Sequence, residues 1–159
     1  MNNLIAQIEA MAAGIEALTP YAVKSRSPFN KSFLQQHPKF NELEGSAKEF
    51  RNFWFELLGS VILNTEIAGA TRFNYRSTVT LSVVHSRFAN TRIDRTSNTE
   101  LQQTYIMMDA HQLAQYIITE STRVSCSVHH ISEPQISITQ LNAEDRLLVI
   151  TFDVEHEET

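Results

Sequence analysis

The sequence predicts an α+β fold, an antiparallel or mixed sheet with two helices on one face, in the order α-β-β-α-β-β. Three stretches carry that prediction. "NNLIAQIEAMAAGIEAL" places apolar residues at 4, 5, 8, 11, 12, 15 and 18, a stripe that only a helix gathers on one side. "STVTLSVVHS" alternates instead, with Val79, Leu81 and Val83 on one face and Thr78, Thr80, Ser82 and Ser86 on the other. In "RLLVITFDVEHEE", Leu148, Ile150, Phe152 and Val154 share a face. Leu147 and Val149 oppose them, so this strand is expected to be buried on both sides early and on one side late.

Taken in order, the first helix starts at Asn2 or Asn3, whose side chains can cap it, and ends at Thr19-Pro20, because a residue before proline is pushed out of the α region. Residues 20–49 hold Pro20, Pro28 and Pro38 with scattered Phe29, Phe33 and Phe40. They read as an irregular connection that docks aromatic anchors, with a short helix near 30–36. "EFRNFWFELLGS" favours a strand through its aromatic content, with Trp54 opposite Phe53. Residues 88–104 lack a sustained period and read as a mobile loop carrying Arg92 and Arg95.

"MMDAHQLAQYIITES" then raises the question of whether Asp109 and His111 form a catalytic pair. On a helix they lie about 200° apart around the axis, so their side chains diverge. As an N-cap, Asp109 would bond an amide near Gln112 in a capping box, with Met108 and Leu113 as the staple. Ala110, Leu113, Ala114 and Ile117 would continue a helix over 110–120. "RVSCSVHHIS" reads as a short strand, followed by Pro134, "QISITQL", and a turn over residues 142–145.

A chain of 159 residues, 42% hydrophobic and 19% charged, suits one globular domain and argues against wholesale disorder. With four glycines and neither GxGxxG nor GxxxxGK[ST], it offers little material for a phosphate-cradling loop. No run reaches the roughly 18 apolar residues of a membrane span, and the N-terminus lacks a basic leader, so a soluble intracellular protein is expected. Cys126 is the only cysteine, and its place in an alternating stretch suggests a small buried hydrophobe rather than a reactive thiol.

The net charge is −5, but its distribution says more than its sum. Arg72, Arg76, Arg87, Arg92 and Arg95 stand against Asp94 alone between residues 67 and 99, whereas residues 144–159 carry six acids against Arg146. Those arginines can grip nucleic-acid phosphates, or they can meet carboxylates of a neighbouring subunit such as Asp153, Glu155 and Glu157. The overall acidic balance favours protein partners. His85 with His129 or His130 could form a metal site if their strands were neighbours, but no acid with ligand spacing accompanies them, and neither a metal nor another cofactor is expected. No G-x-S-x-G elbow is present.

The leading helix, the aromatic strand at 50–57, the long strand ending in "TVTLSVVHSRF", the helix opening with "DAHQLAQYI" and the closing "LLVITFDVEHEE" together resemble the tail terminator (tail completion) proteins of long-tailed bacteriophages. The resemblance is one of layout over residues 1–18 and 50–157. It implies a homo-oligomeric ring, usually hexameric, that caps the tail tube, stops its growth and receives the head or neck connector. No reaction or cofactor is implied, and DNA would pass through the ring without specific binding. The protein would reside in the virion after assembly in the host cytoplasm, away from any membrane. The 88–104 loop and the 59–72 connection would reach a neighbour, tube or connector. Alternatives are another connector or tail tube protein, a ferredoxin-like nucleic-acid-binding module built on the arginines, and a hydrolase or metal enzyme built on His85, His129 or His130.

Overall fold

The computed structural model describes residues 2–18, 29–34, 52–63, 73–86, 99–121, 128–141 and 145–159. These form α1 (Asn2–Glu16), β1 (Asn30–Leu34), β2 (Asn52–Ile62), β3 (Phe73–Ser86), α2 (Thr99–Ser121), β4 (Val128–Ile131), β5 (Gln135–Gln140) and β6 (Asp145–Glu158). The architecture is α+β, with a six-stranded sheet in the order β1-β2-β3-β6-β4 and β5 also paired with β6. Among the described residues only the β1–β2 pair is parallel.

The alternation along β3 and β6 sets the two faces of the sheet. Val79, Leu81 and Val83 lie opposite Phe152, Ile150 and Leu148 in the antiparallel register, so all six point to the same side. Leu4, Ile8, Met11 and Ile15 of α1 and Ile106, Ala110, Leu113 and Ile117 of α2 pack onto them in one buried cluster. Phe53 and Phe55 join it from β2, their rings edge to face at 6.3 Å. Burying each large apolar side chain here is worth about 1.5–3 kcal/mol. Phe29 is also in this core, as an aromatic anchor should be.

The opposite face carries a smaller apolar cluster of Trp54, Val84 and Leu147, with Leu141 and Val149 against it. β6 is therefore buried on both sides early and on one side late, as its composition predicts.

Several expectations are corrected. The predicted order had two strands before the second helix and two after, whereas three stand on each side of it. Residues 30–34 are a strand, not a short helix, because the edge of β2 from Asn52 to Phe55 offers backbone partners that outweigh local preference. The second helix begins at Thr99 rather than 110, so residues 99–104 of the loop read over 88–104 are helical, and residues 88–98 lie outside the described residues. Its opening turns are rich in good helix formers, but Gln103 and Thr104 are exposed, leaving little apolar periodicity to read. The rest of the 20–49 connection lies outside the described residues.

α1 and α2 approach closely at Gly14. A Cβ there would stand 1.9 Å from the Tyr116 hydroxyl, so a larger residue would displace that ring.

Candidate functional site: buried latches and open sheet edges

Two buried histidine–carboxylate pairs sit at opposite ends of the central strands. At one end His85 follows Val79, Leu81 and Val83 on the inward face of β3, where its ring needs a polar partner. Asp109 supplies it from α2, with His85 Nε2 donating to Oδ2 at 2.7 Å and both side chains fully buried. Asp109 is thus eleven residues into the helix, and the N-cap reading with Gln112 is overturned. Its place in the stripe 106, 109, 110, 113, 117 turns it to the sheet. Gln112 is likewise buried mid-helix, and His111 is exposed.

At the other end, His156 and Glu158 extend the inward face of β6 beyond Val154. His156 Nδ1 donates to Glu158 Oε1 at 3.0 Å, which leaves Nε2 to accept from Ser77 Oγ at 2.7 Å. Ser77 Oγ lies 2.7 Å from Ser60 Oγ, and Tyr75 stacks on the imidazole with centroids 5.6 Å apart. The Glu158 carboxylate in turn accepts the amides of Asn3 and Leu4, capping α1 from a distant strand. Burial pushes the His156 pKa below its ordinary value, outweighing the neighbouring carboxylate, so the ring is neutral at pH 7. Burial alone would raise that of Glu158, yet the two amide bonds hold it below the usual carboxylate range.

Ser77, His156 and Glu158 are connected like a Ser-His-acid triad. Ser77 and His156, however, have no exposed surface to offer a substrate carbonyl, and Glu158 is engaged by α1. Both pairs act as latches that hold a helix to the sheet. Neither was found from the sequence, although extending the alternations already read in β3 and β6 by one or two steps would have placed His85, Ser77, His156 and Glu158 inside.

Of the charged residues singled out, Arg76 and Glu155 meet within one chain, cross-strand on the outer face, at 2.7 Å. Asp153 accepts from Thr78 Oγ1 at 2.7 Å on the same face. Glu157 follows at the next outward position, and its carbonyl accepts from the Asn3 side chain. Arg72, Arg87, Arg92, Arg95 and Cys126 lie outside the described residues. β6 separates β3 from β4, and His85 pairs at the Arg146 end while β4 pairs at the His156 end. The sheet therefore keeps His85 away from His129 and His130. Among the described residues no group of three or more His, Cys, Asp or Glu could hold a metal ion. No helix among them is long and apolar enough to cross a membrane.

The sheet's margins differ from its centre. β4 and β5 are two pieces of one margin, broken at Ser132, Glu133 and Pro134. Ser132 bridges the break, its amide donating to the Asp153 carbonyl and its hydroxyl accepting the Asp153 amide. A shallow groove of about 220 Å³ lies over this break, lined in part by Thr78, Glu133 and Asp153. All six residues of β5 are exposed, Ile136 by 47% and Ile138 by 44%, and none is charged. On the far margin β1 covers β2 only as far as Phe55. Beyond it, Glu56–Ile62 presents Leu58 and Val61, exposed by 57% and 64%.

No protein-family model matches the chain, and no curated protein does.

Proposed function

We propose that the chain is a non-enzymatic structural subunit of a bacteriophage tail, forming a homo-oligomeric ring that caps the tail tube, ends its growth and receives the head or neck connector. The observation that carries this reading is the contrast between the buried histidine latches, turned inward to hold α1 and α2, and the two lateral strands, which expose Leu58 and Val61 on one side and Ile136 and Ile138 on the other. A subunit with different apolar surfaces on two opposite sides can add copies of itself head to tail, and a head-to-tail contact whose rotation closes makes a ring. The succession of helix, long antiparallel strands, helix and closing strand supports the tail-terminator assignment by analogy of layout. Arg76, already balanced by Glu155, adds little free positive charge for a nucleic acid.

The test mixes the purified chain with polymerising tail tube protein and images the products by negative stain. Tubes of limited length with a ring on one end are expected. Tubes that grow unchanged beside a chain that never joins them would overturn the reading.

A further inference from the structure

We infer that His156 and Glu158 form a pH-operated catch on the first turn of α1: proton uptake by the His156 ring frees Asn3 and Leu4 from Glu158 while the rest of the fold stays closed. The polar attachments of that turn converge on the end of β6. The Asn3 and Leu4 amides donate to the two Glu158 oxygens at 3.1 and 2.9 Å, and the Asn3 side chain donates to the Glu157 carbonyl. Oε1, the oxygen that takes the Leu4 amide, also takes His156 Nδ1 at 3.0 Å. One carboxylate oxygen therefore serves the helix and a titratable ring at once. The catch works within a single copy of the chain, whatever that copy assembles with.

Charge decides which attachment gives way. α1 has no acidic residue in its first turn, so Glu158 is the carboxylate that meets its positive end. With a neutral ring, the His156–Glu158 pair presents a net negative charge to the helix. With a protonated ring the pair is neutral as a whole, and the shared oxygen turns to the stronger, charged donor. A buried cation then stands close to the positive end of a helix, where a cation is unfavourable. The surroundings do not offset that cost. β3 contributes the Tyr75 ring and the Ser77 hydroxyl; β4 contributes Val128 beside the ring and His129, a like charge when protonated; the amino terminus ahead of α1 is a further positive group. Glu155 and Glu157 of β6 itself sit on the outer face, Glu155 against Arg76. Burial outweighs the attraction of Glu158, so the closed fold resists protonation of the ring, and opening the turn relieves that resistance by admitting water.

On the β3 side proton uptake orphans nothing. Nε2 becomes a donor, Ser77 Oγ turns to accept from it, and the Ser77 hydroxyl donates instead to Ser60 Oγ, 2.7 Å away. The strain therefore falls on α1. Release stops at the first turn, because Ile8, Met11 and Ile15 hold the rest of α1 in the core and Asp109 holds α2 from the other end of the sheet.

Hydrogen–deuterium exchange read by mass spectrometry follows α1 and α2 in one sample of the full chain, at pH values from 7.5 to 4.5, with labelling times scaled to the intrinsic rate. A group that protonates more readily in the open state favours opening as pH falls below its ordinary value, 6.5 for this ring, by at most about tenfold per pH unit. Exchange over residues 4–8 is expected to rise about three- to tenfold between pH 7.5 and 5.5, with residues 105–117 of α2 unchanged and the rise abolished in H156Q. Glu158→Gln keeps the shape of the side chain but removes the charge that favours the imidazolium, so it should move the rise to lower pH; it is the deciding variant if H156Q does not fold. No rise, a rise shared equally by α1 and α2, a rise that persists in H156Q, or a midpoint unmoved in E158Q would each overturn the catch.

Discussion

The helix-covered face and the lateral margins of this sheet solve the same problem in opposite ways. On the covered face even the polar groups are partnered internally, His85 by Asp109 and His156 by Ser77 and Glu158. At the margins, β5 and the far half of β2 leave apolar side chains exposed. The difference separates residues that hold the subunit together from residues available to hold subunits to one another. Substitutions on the covered face should unfold the chain, and substitutions at the margins should spare the fold and change its assembly.

The largest effect is expected from Asp109→Ala, which removes the carboxylate that holds the buried His85. A loss of about 2–3 kcal/mol in chemical denaturation is expected, the cost of a buried imidazole donor left without its acceptor. A loss below 1 kcal/mol would show that the pair does not anchor α2.

Gly14→Ala sets a gain of about 1 kcal/mol in helix propensity against overpacking of about 1–3 kcal/mol. With the Tyr116 hydroxyl 1.9 Å from the new Cβ, net destabilisation is expected. In a Tyr116→Ala background the same substitution should instead stabilise, and a double-mutant cycle reads the reversal.

Glu158→Ala removes the carboxylate at the start of α1, with a cost of about 1–2 kcal/mol. Its counterpart in pH follows from two depressed pKa values. A group that binds protons less readily when folded lends stability above its unfolded pKa and loses it as pH falls. For His156 the decline starts as pH drops through 6.5, and for Glu158 a second decline starts near 4.5. Melting temperatures across pH 4–8 should show the upper decline in the wild type and lose it in His156→Gln. Persistence of that decline in the variant would assign it elsewhere.

The smallest effect on folding is expected at the margins. Ile138→Lys should change subunit stability by no more than about 0.5 kcal/mol, measured under conditions where the chain is dissociated.

How much of this was legible in the sequence depended on whether a residue's environment was local. The stripe of α1 and the alternations of β3 and β6 are periodic in one segment, and they placed the core correctly from Leu4 to Val154. Asp109 was misread because an aspartate before an apolar stripe is also what a cap looks like. Only the strand carrying His85, 24 residues earlier, shows that it is a core partner. β1 was missed because five residues after a proline take their conformation from the edge of β2. The lateral margins could not be read at all, since whether "QISITQ" faces a neighbouring strand or solvent is decided by the order of strands in the sheet. That order is a property of the whole fold.

The functional reading stands or falls on whether copies of this chain join into a closed ring. The most direct measurement is the native mass of the purified chain by light scattering at two concentrations, in low and high salt, beside that of I138K. A discrete multimer near six subunits that survives salt and dissociates in the variant is expected, because exposed apolar side chains rather than charge hold it. A monomer at every concentration, or a multimer indifferent to Ile138→Lys, would contradict it.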